Sequence, residues 1–213
     1  FWEAGFLIAA GLGFAVAVAF AVLYRGADGG PTSPPDFRGL TRNRPYVLLV
    51  AAGLFLGAML FTTTGYTVLY VEEFVGAPVA FAGAVLAVVQ LFGSAGRLLG
   101  GWLSDRLPGD PQTRIGGILL VQTAASAALF LAVGRTATPP AAAVGFAVLG
   151  FCALGFTGVY YSCMATLVPA DQMGSATAGC QLALTSGALF APPAFGHLAD
   201  TLSYRAGWTL LAG

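Results

Sequence analysis

The stretch Gly96-Arg97-Leu98-Leu99-Gly100-Gly101-Trp102-Leu103-Ser104-Asp105-Arg106, continuing to Arg114, decides how this chain is read. It lies between two long apolar runs. It gathers Arg97, Asp105, Arg106, Asp110 and Arg114 in a sequence that is only 8% charged. Soluble domains are usually about 25% charged, so a knot of charge between apolar runs reads as a short loop between two membrane helices. The glycines permit close helix approach at that end. Asp105 and the arginines can pair with one another or with helix termini.

The rest of the composition agrees. The chain is 57% hydrophobic, with a mean hydropathy of +0.82, and has too few polar residues to form the shell of a soluble core. The formal charge is zero, so no nucleic-acid partner is implied; all nine basic residues are arginine, which carries no functional reading. Cys152, Cys163 and Cys180 lie in apolar runs without a C-x-x-C pair and read as small buried residues. No zinc-type spacing occurs, and no metal or cofactor is expected. Phe1–Tyr24 does not read as a secretory leader, because Glu3 stands where a basic region belongs and the apolar core is too long. A start at Phe1 and an end at Gly213 inside an apolar run lead to the expectation of a fragment.

Six full spans and the start of a seventh are expected, each near the ~20 residues that a bilayer requires. They run roughly over Gly5–Tyr24, Tyr46–Val71, Val79–Leu103, Ile115–Val133, Ala141–Val168 and Met173–His197, with a cut span from Gly207. The first carries a small-residue stripe at Gly5, Ala9, Gly13, Ala17 and Ala21. Arg25–Pro45 is a polar, Pro- and Gly-rich linker and the natural boundary. One set of alternate connections holds Arg25, Arg38, Arg42, Arg44, Arg106 and Arg114; the other holds only Arg135 and Arg205. Arginine asymmetry therefore places the linker 25–45 and the loop 104–114 in the cytoplasm of a multi-pass cell-membrane protein. Gly101-Trp102-Leu103-Ser104-Asp105 recurs as Gly196-His197-Leu198-Ala199-Asp200, at the opposite membrane face. Inverted three-helix repeats would produce that arrangement.

The Gly101, Asp105, Arg106 pattern resembles the signature loop of the major facilitator superfamily of secondary transporters, which joins the second and third helices of each six-helix half. The later part, Leu107 to Arg114, is longer and less basic than the family pattern. Pro169-x-x-x-Met173-Gly174-Ser175-Ala176 resembles the family's start of helix eleven, with Met173 in place of the usual arginine. The resemblance implies an all-α polytopic fold. Residues 1–24 would be the last helix of an N-terminal half, 25–45 the central linker, and 46–213 a C-terminal half cut in its final helix. It implies a gating set of Arg97, Gly101, Asp105, Arg106, Arg114 and Gly174. The partners would be a small solute or ion, the lipid bilayer, and the missing N-terminal half of the same chain.

Polar residues inside a membrane are costly, so their placement points to function. Thr63, Tyr66, Thr67 and Tyr70 share one face of the second span. Thr157, Tyr160 and Tyr161 repeat the pattern on the fifth, and Thr177, Gln181 and Thr185 form a stripe on the sixth. Gln90 lies near the middle of the third. Thr63, Tyr66, Gln90, Thr157, Tyr160, Tyr161, Thr177, Gln181 and Thr185 are the solute-cavity candidates. Threonine can equally bond its own helix. Gln122, on a span that is peripheral in the family, reads as packing. His197 stands at an outer helix end.

Secondary transport of a small polar solute by alternating access is the leading reading, with no covalent chemistry. A non-transporting membrane scaffold or sensor is the alternative. An intramembrane enzyme fits less well. Ser186 and His197 share one helix and would be about 16 Å apart along its axis, whereas a nucleophile and base need about 3 Å.

Overall fold

The computed structural model describes residues 2–24 and 37–213. They divide into two units, Phe1–Pro34 and Pro35–Gly213. Within the first, Trp2–Leu23 forms a single apolar helix, α1. Residues 25–36, which hold most of the linker, lie outside the described residues.

The second unit is all-helical among its described residues: α2 (Phe37–Arg42), α3 (Arg44–Leu69), α4 (Val79–Arg106), α5 (Pro111–Val133), α6 (Pro139–Ala153), α7 (Phe156–Leu167), α8 (Met173–Thr201) and α9 (Tyr204–Ala212). Among the described residues, five stretches are long and apolar enough to cross a membrane: Glu3–Leu23, Arg44–Phe74, Val79–Arg106, Pro111–Val133 and Pro139–Leu167. This is a polytopic helical membrane protein. The expected sixth span is α8, whose 29 residues suffice in length. Its Thr, Gln, Ser and two prolines make it less apolar than the other five. Asp105 and Asp200 each stand one residue before the last residue of their helices, α4 and α8, at opposite ends of the bundle.

Several boundaries differ from those read in the sequence. Ser104, Asp105 and Arg106 finish α4 rather than opening a loop. Helix α5 begins at Pro111, four residues earlier than expected, because Asp110 caps it: its carboxylate accepts from Thr113 N at 3.0 Å. The connection is thus Leu107–Asp110, turned by Gly109 at φ 113°. At its start, α3 is capped by Asn43, which accepts from Tyr46 N at 3.3 Å and donates to Leu167 O at 2.7 Å. Beyond Leu69 the chain continues as a π-turn, Tyr70–Phe74.

Two glycine-lined crossings hold the bundle together. Helix α3 packs along α8, and a Cβ at Gly57 would stand 1.9 Å from the Leu184 carbonyl oxygen. A Cβ at Gly187 would stand 2.3 Å from that of Leu54. Helix α4 packs against α6 and α7 through Gly93, Gly96 and Gly100. There a Cβ at Gly96 would lie 2.2 Å from Phe151 O, and one at Gly155 2.9 Å from the Gly96 Cα. Backbone meets backbone, the arrangement that membrane helices reach with small residues. The expected fifth span breaks at this contact into α6 and α7, at Leu154–Gly155.

Candidate solute-facing surface and signature loop

The second half of α4 uses its glycines unequally. Gly96 and Gly100 carry the crossing with α6 and α7; a Cβ at Gly101 would meet nothing within 4 Å, nor would one at Gly174 in the first turn of α8. Close approach at this end therefore belongs to Gly96 and Gly100. Arg97 is exposed on α4, and its Nε donates to Leu154 O at 3.3 Å. The Thr157 hydroxyl donates to the same carbonyl at 3.4 Å. The broken span leaves that carbonyl short of a helical partner, so Arg97 spans from α4 to the break.

The other charges of the loop do not pair with one another. The Arg106 guanidinium lies over the Trp102 ring, 4.6 Å from its centre. Arg114 reaches back from the first turn of α5 and donates through Nη1 to Leu107 O. Asp110 is occupied by its cap, accepting also from the Thr113 hydroxyl at 3.1 Å. Asp105 is exposed and has no hydrogen-bond or ion-pair partner among the described residues.

The polar candidates fall into two groups. Those of α3 face inward and are engaged within the bundle. Thr63 is buried and donates to Met59 O at 2.6 Å. Tyr66 is half-buried and donates to Pro192 O at 3.0 Å. Its hydroxyl occupies the space where a Gly196 Cβ would stand. The second group lies on or beside the exposed side of α7 and α8. Tyr161 donates to Gln181 Oε1, linking the two helices. Thr177, Gln181 and Thr185 are all exposed, and the two threonines donate to their own helix, to Met173 O and Gln181 O, each at 2.8 Å. Thr157 is half-buried at the α6–α7 break, and Gln90 is exposed on α4. Tyr160 is fully buried beneath Tyr161, with ring centres 5.4 Å apart. Its hydroxyl packs where a Gly53 Cβ would be, beside the Cys180 thiol.

Chemically this exposed surface offers neutral hydroxyls and an amide. Among the described residues no three His, Cys, Asp or Glu side chains stand together as a metal site would need. Ser186 donates to Leu182 O at 2.7 Å, and His197 is exposed farther along the same helix. Sequence reasoning missed two residues that shape this region. Ser94 is exposed one turn beyond Gln90 and donates to its carbonyl at 3.0 Å. Tyr46 is buried and donates to Ala176 O at 3.0 Å, closing α3 onto the start of α8. The Asn-Arg-Pro cap signal at Asn43 could have pointed to the Tyr46 region; nothing in the sequence singles out Ser94.

A family model described as Major Facilitator Superfamily matches residues 1–192. The comparison with curated proteins returns no match.

Proposed function

The chain belongs to the Major Facilitator Superfamily, and from that premise we propose that it moves a small, polar, uncharged solute by alternating access. The exposed surface of α7 and α8 would line the path. The observation that carries this reading is the Tyr161–Gln181 pair, a hydrogen-bonded hydroxyl and amide with Thr177 and Thr185 on the same stripe. Such groups can exchange bonds with a solute and return to each other when it leaves, so neither stranded state is costly. The inward-facing hydroxyls of Thr63 and Tyr66 would then hold the bundle while the α7–α8 surface meets the solute.

The loop supplies the complementary part. Arg97 ties α4 to the break between α6 and α7, so motion of α7 is coupled to α4 through one cation–carbonyl bond. Asp105 would meet a partner outside this bundle when that side is closed, with the linker and the α4–α5 loop in the cytoplasm.

The test is solute flux into vesicles holding the complete protein, using a panel of labelled polyols, amides and small anions. Once a transported solute is found, Tyr161→Phe and Gln181→Leu should weaken its binding by about threefold to tenfold, one hydrogen bond's worth. Gln122→Leu should leave it unchanged. Equal affinities in all three variants would remove the α7–α8 surface from the path. Absence of flux for every class would favour a scaffold or sensor.

A further inference from the structure

A groove of about 560 Å³ runs between α4, α5 and α6 on the bundle's surface. Its walls are apolar and include Leu99, Leu103, Ile118, Val121 and Phe151. At the end nearest the α4–α5 loop stands Arg114, half-buried, with its Nε buried and without a hydrogen-bond partner. The deeper part is marked by Gln122, whose side-chain oxygen is buried and also unpaired.

We propose that this groove holds an acyl chain of an anionic phospholipid, with Arg114 binding the headgroup phosphate. The argument is one of charge and shape. A guanidinium carries five N–H donors in a planar fork suited to phosphate. Here Nη1 is spent on the Leu107 carbonyl, which brings no negative charge. The nearest acid in sequence, Asp110, is turned to the α5 start, where it accepts from Thr113 N and Oγ1. Among the described residues Arg114 has no carboxylate partner, so a half-buried cation is left without compensation. Apolar walls and an uncompensated cation at one end match an amphiphile whose anion sits at the membrane surface and whose tail lies inward. Basic pockets between membrane helices recognise lipid headgroups in this way.

The test uses the whole chain in mixed vesicles of phosphatidylcholine and phosphatidylglycerol. One lipid at a time carries a photo-crosslinking group on its acyl chain, and labelled peptides are mapped by mass spectrometry. The phosphatidylglycerol probe should label the α4–α5 groove about fivefold more than the phosphatidylcholine probe, the effect of one arginine near an anionic lipid. Arg114→Gln should bring the ratio close to one. Gly117→Leu should reduce labelling by both probes, because Gly117 lines the groove and a Cβ there meets nothing within 4 Å. Gly116→Leu is the control. A Cβ at Gly116 is equally free, but that residue lines the neighbouring α3–α5 groove. Leucine is a better helix former than glycine, so both variants keep α5 intact. Equal labelling by the two probes in the unaltered chain would overturn the proposal. So would a preference that survives Arg114→Gln, or a loss in Gly116→Leu equal to that in Gly117→Leu.

Discussion

The two ends of the helix bundle are built on opposite principles. At one end, where α3 finishes and α9 starts, aromatic rings interlock. The buried Tyr70 ring lies 5.6 Å from each of Phe146, Tyr204 and Trp208, and 5.0 Å from Phe74. Trp208 stacks on Phe130 at 5.7 Å and meets Phe195 at 4.7 Å. The polar atoms there are mostly satisfied: Tyr70 donates to Val133 O at 2.8 Å, and Tyr204 to Glu73. At the other end, around the α4–α5 loop, the charges are exposed or half-buried and are answered by a ring face, a backbone carbonyl, a helix-capping bond or nothing. Packing energy grows with buried contact area and is local to the bundle. Exposed charge adds little to folding and stays available to something else. The comparison therefore separates an end that holds the bundle from an end that can exchange partners.

The largest effect should come from the aromatic end. Trp208→Ala removes a fully buried ring from contact with Tyr70, Phe130, Phe146 and Phe195. We expect a loss of about 3–5 kcal/mol, read as a fall in the thermal unfolding midpoint in detergent. A loss below 1 kcal/mol would mean that the cluster does not hold this end.

Next comes Tyr70→Phe, which keeps the ring and deletes the hydroxyl. Val133 O retains the Thr136 hydroxyl at 2.8 Å, but the Thr136 carbonyl loses its Tyr70 donor at 3.0 Å. One carbonyl is stranded, so a loss of about 1 kcal/mol is expected in the same assay. No change would show that water reaches this carbonyl, and that this end is less closed than its packing implies.

Arg97→Gln should cost less, about 0.5 kcal/mol, because an exposed cation–carbonyl bond is lost in contact with solvent. Its clearer signature is local. Backbone amides around Leu154–Gly155 should exchange hydrogen faster, since the freed carbonyl keeps only Thr157. Unaltered exchange would break the link between α4 and the helix break.

Much of this contrast was legible in the sequence, though not its sense. The α3 pattern at Thr63, Tyr66, Thr67 and Tyr70 marks one polar face by its spacing. Spacing does not say whether that face looks at a solute or at α5 and α8, since either environment rewards hydroxyls. The break at Leu154–Gly155 was hidden for a related reason. Gly155 is one of several glycines in its run, and it matters because Gly96 meets it from a helix nearly 60 residues earlier. Asp105 and Arg106 read as loop because charge is expensive in a bilayer. They are nonetheless helical, since α4 runs through them to Arg106 and Leu107 N still bonds Leu103 O. The family resemblance drawn from the loop agrees with the family match over residues 1–192, because such a pattern depends on residue identity rather than on tertiary packing.

The smallest stability effect, and the sharpest test, belongs to Asp105→Asn. Asp105 sits in the last turn of α4, where the helix dipole disfavours a carboxylate. Its neighbour Arg106 is held over Trp102 and does not pair with it. The acid therefore contributes nothing favourable to this bundle, and asparagine should leave the unfolding midpoint unchanged or slightly higher, within about 0.5 kcal/mol. Under the proposed gate, the carboxylate meets an opposing helix start only in the state closed on that side. Losing it should shift the balance toward the state open there by about 1–2 kcal/mol, the scale of a charge at a partly buried helix terminus, and slow transport while solute still binds. A cysteine at Thr185, in a background without Cys152, Cys163 and Cys180, reports that balance through reagent access from the α4–α5 side. A midpoint drop as large as that of Tyr70→Phe would show that Asp105 serves the fold, and the two ends would not be opposites. Unchanged access with an unchanged transport rate would make Asp105 an ordinary surface charge and leave the gate without its principal residue.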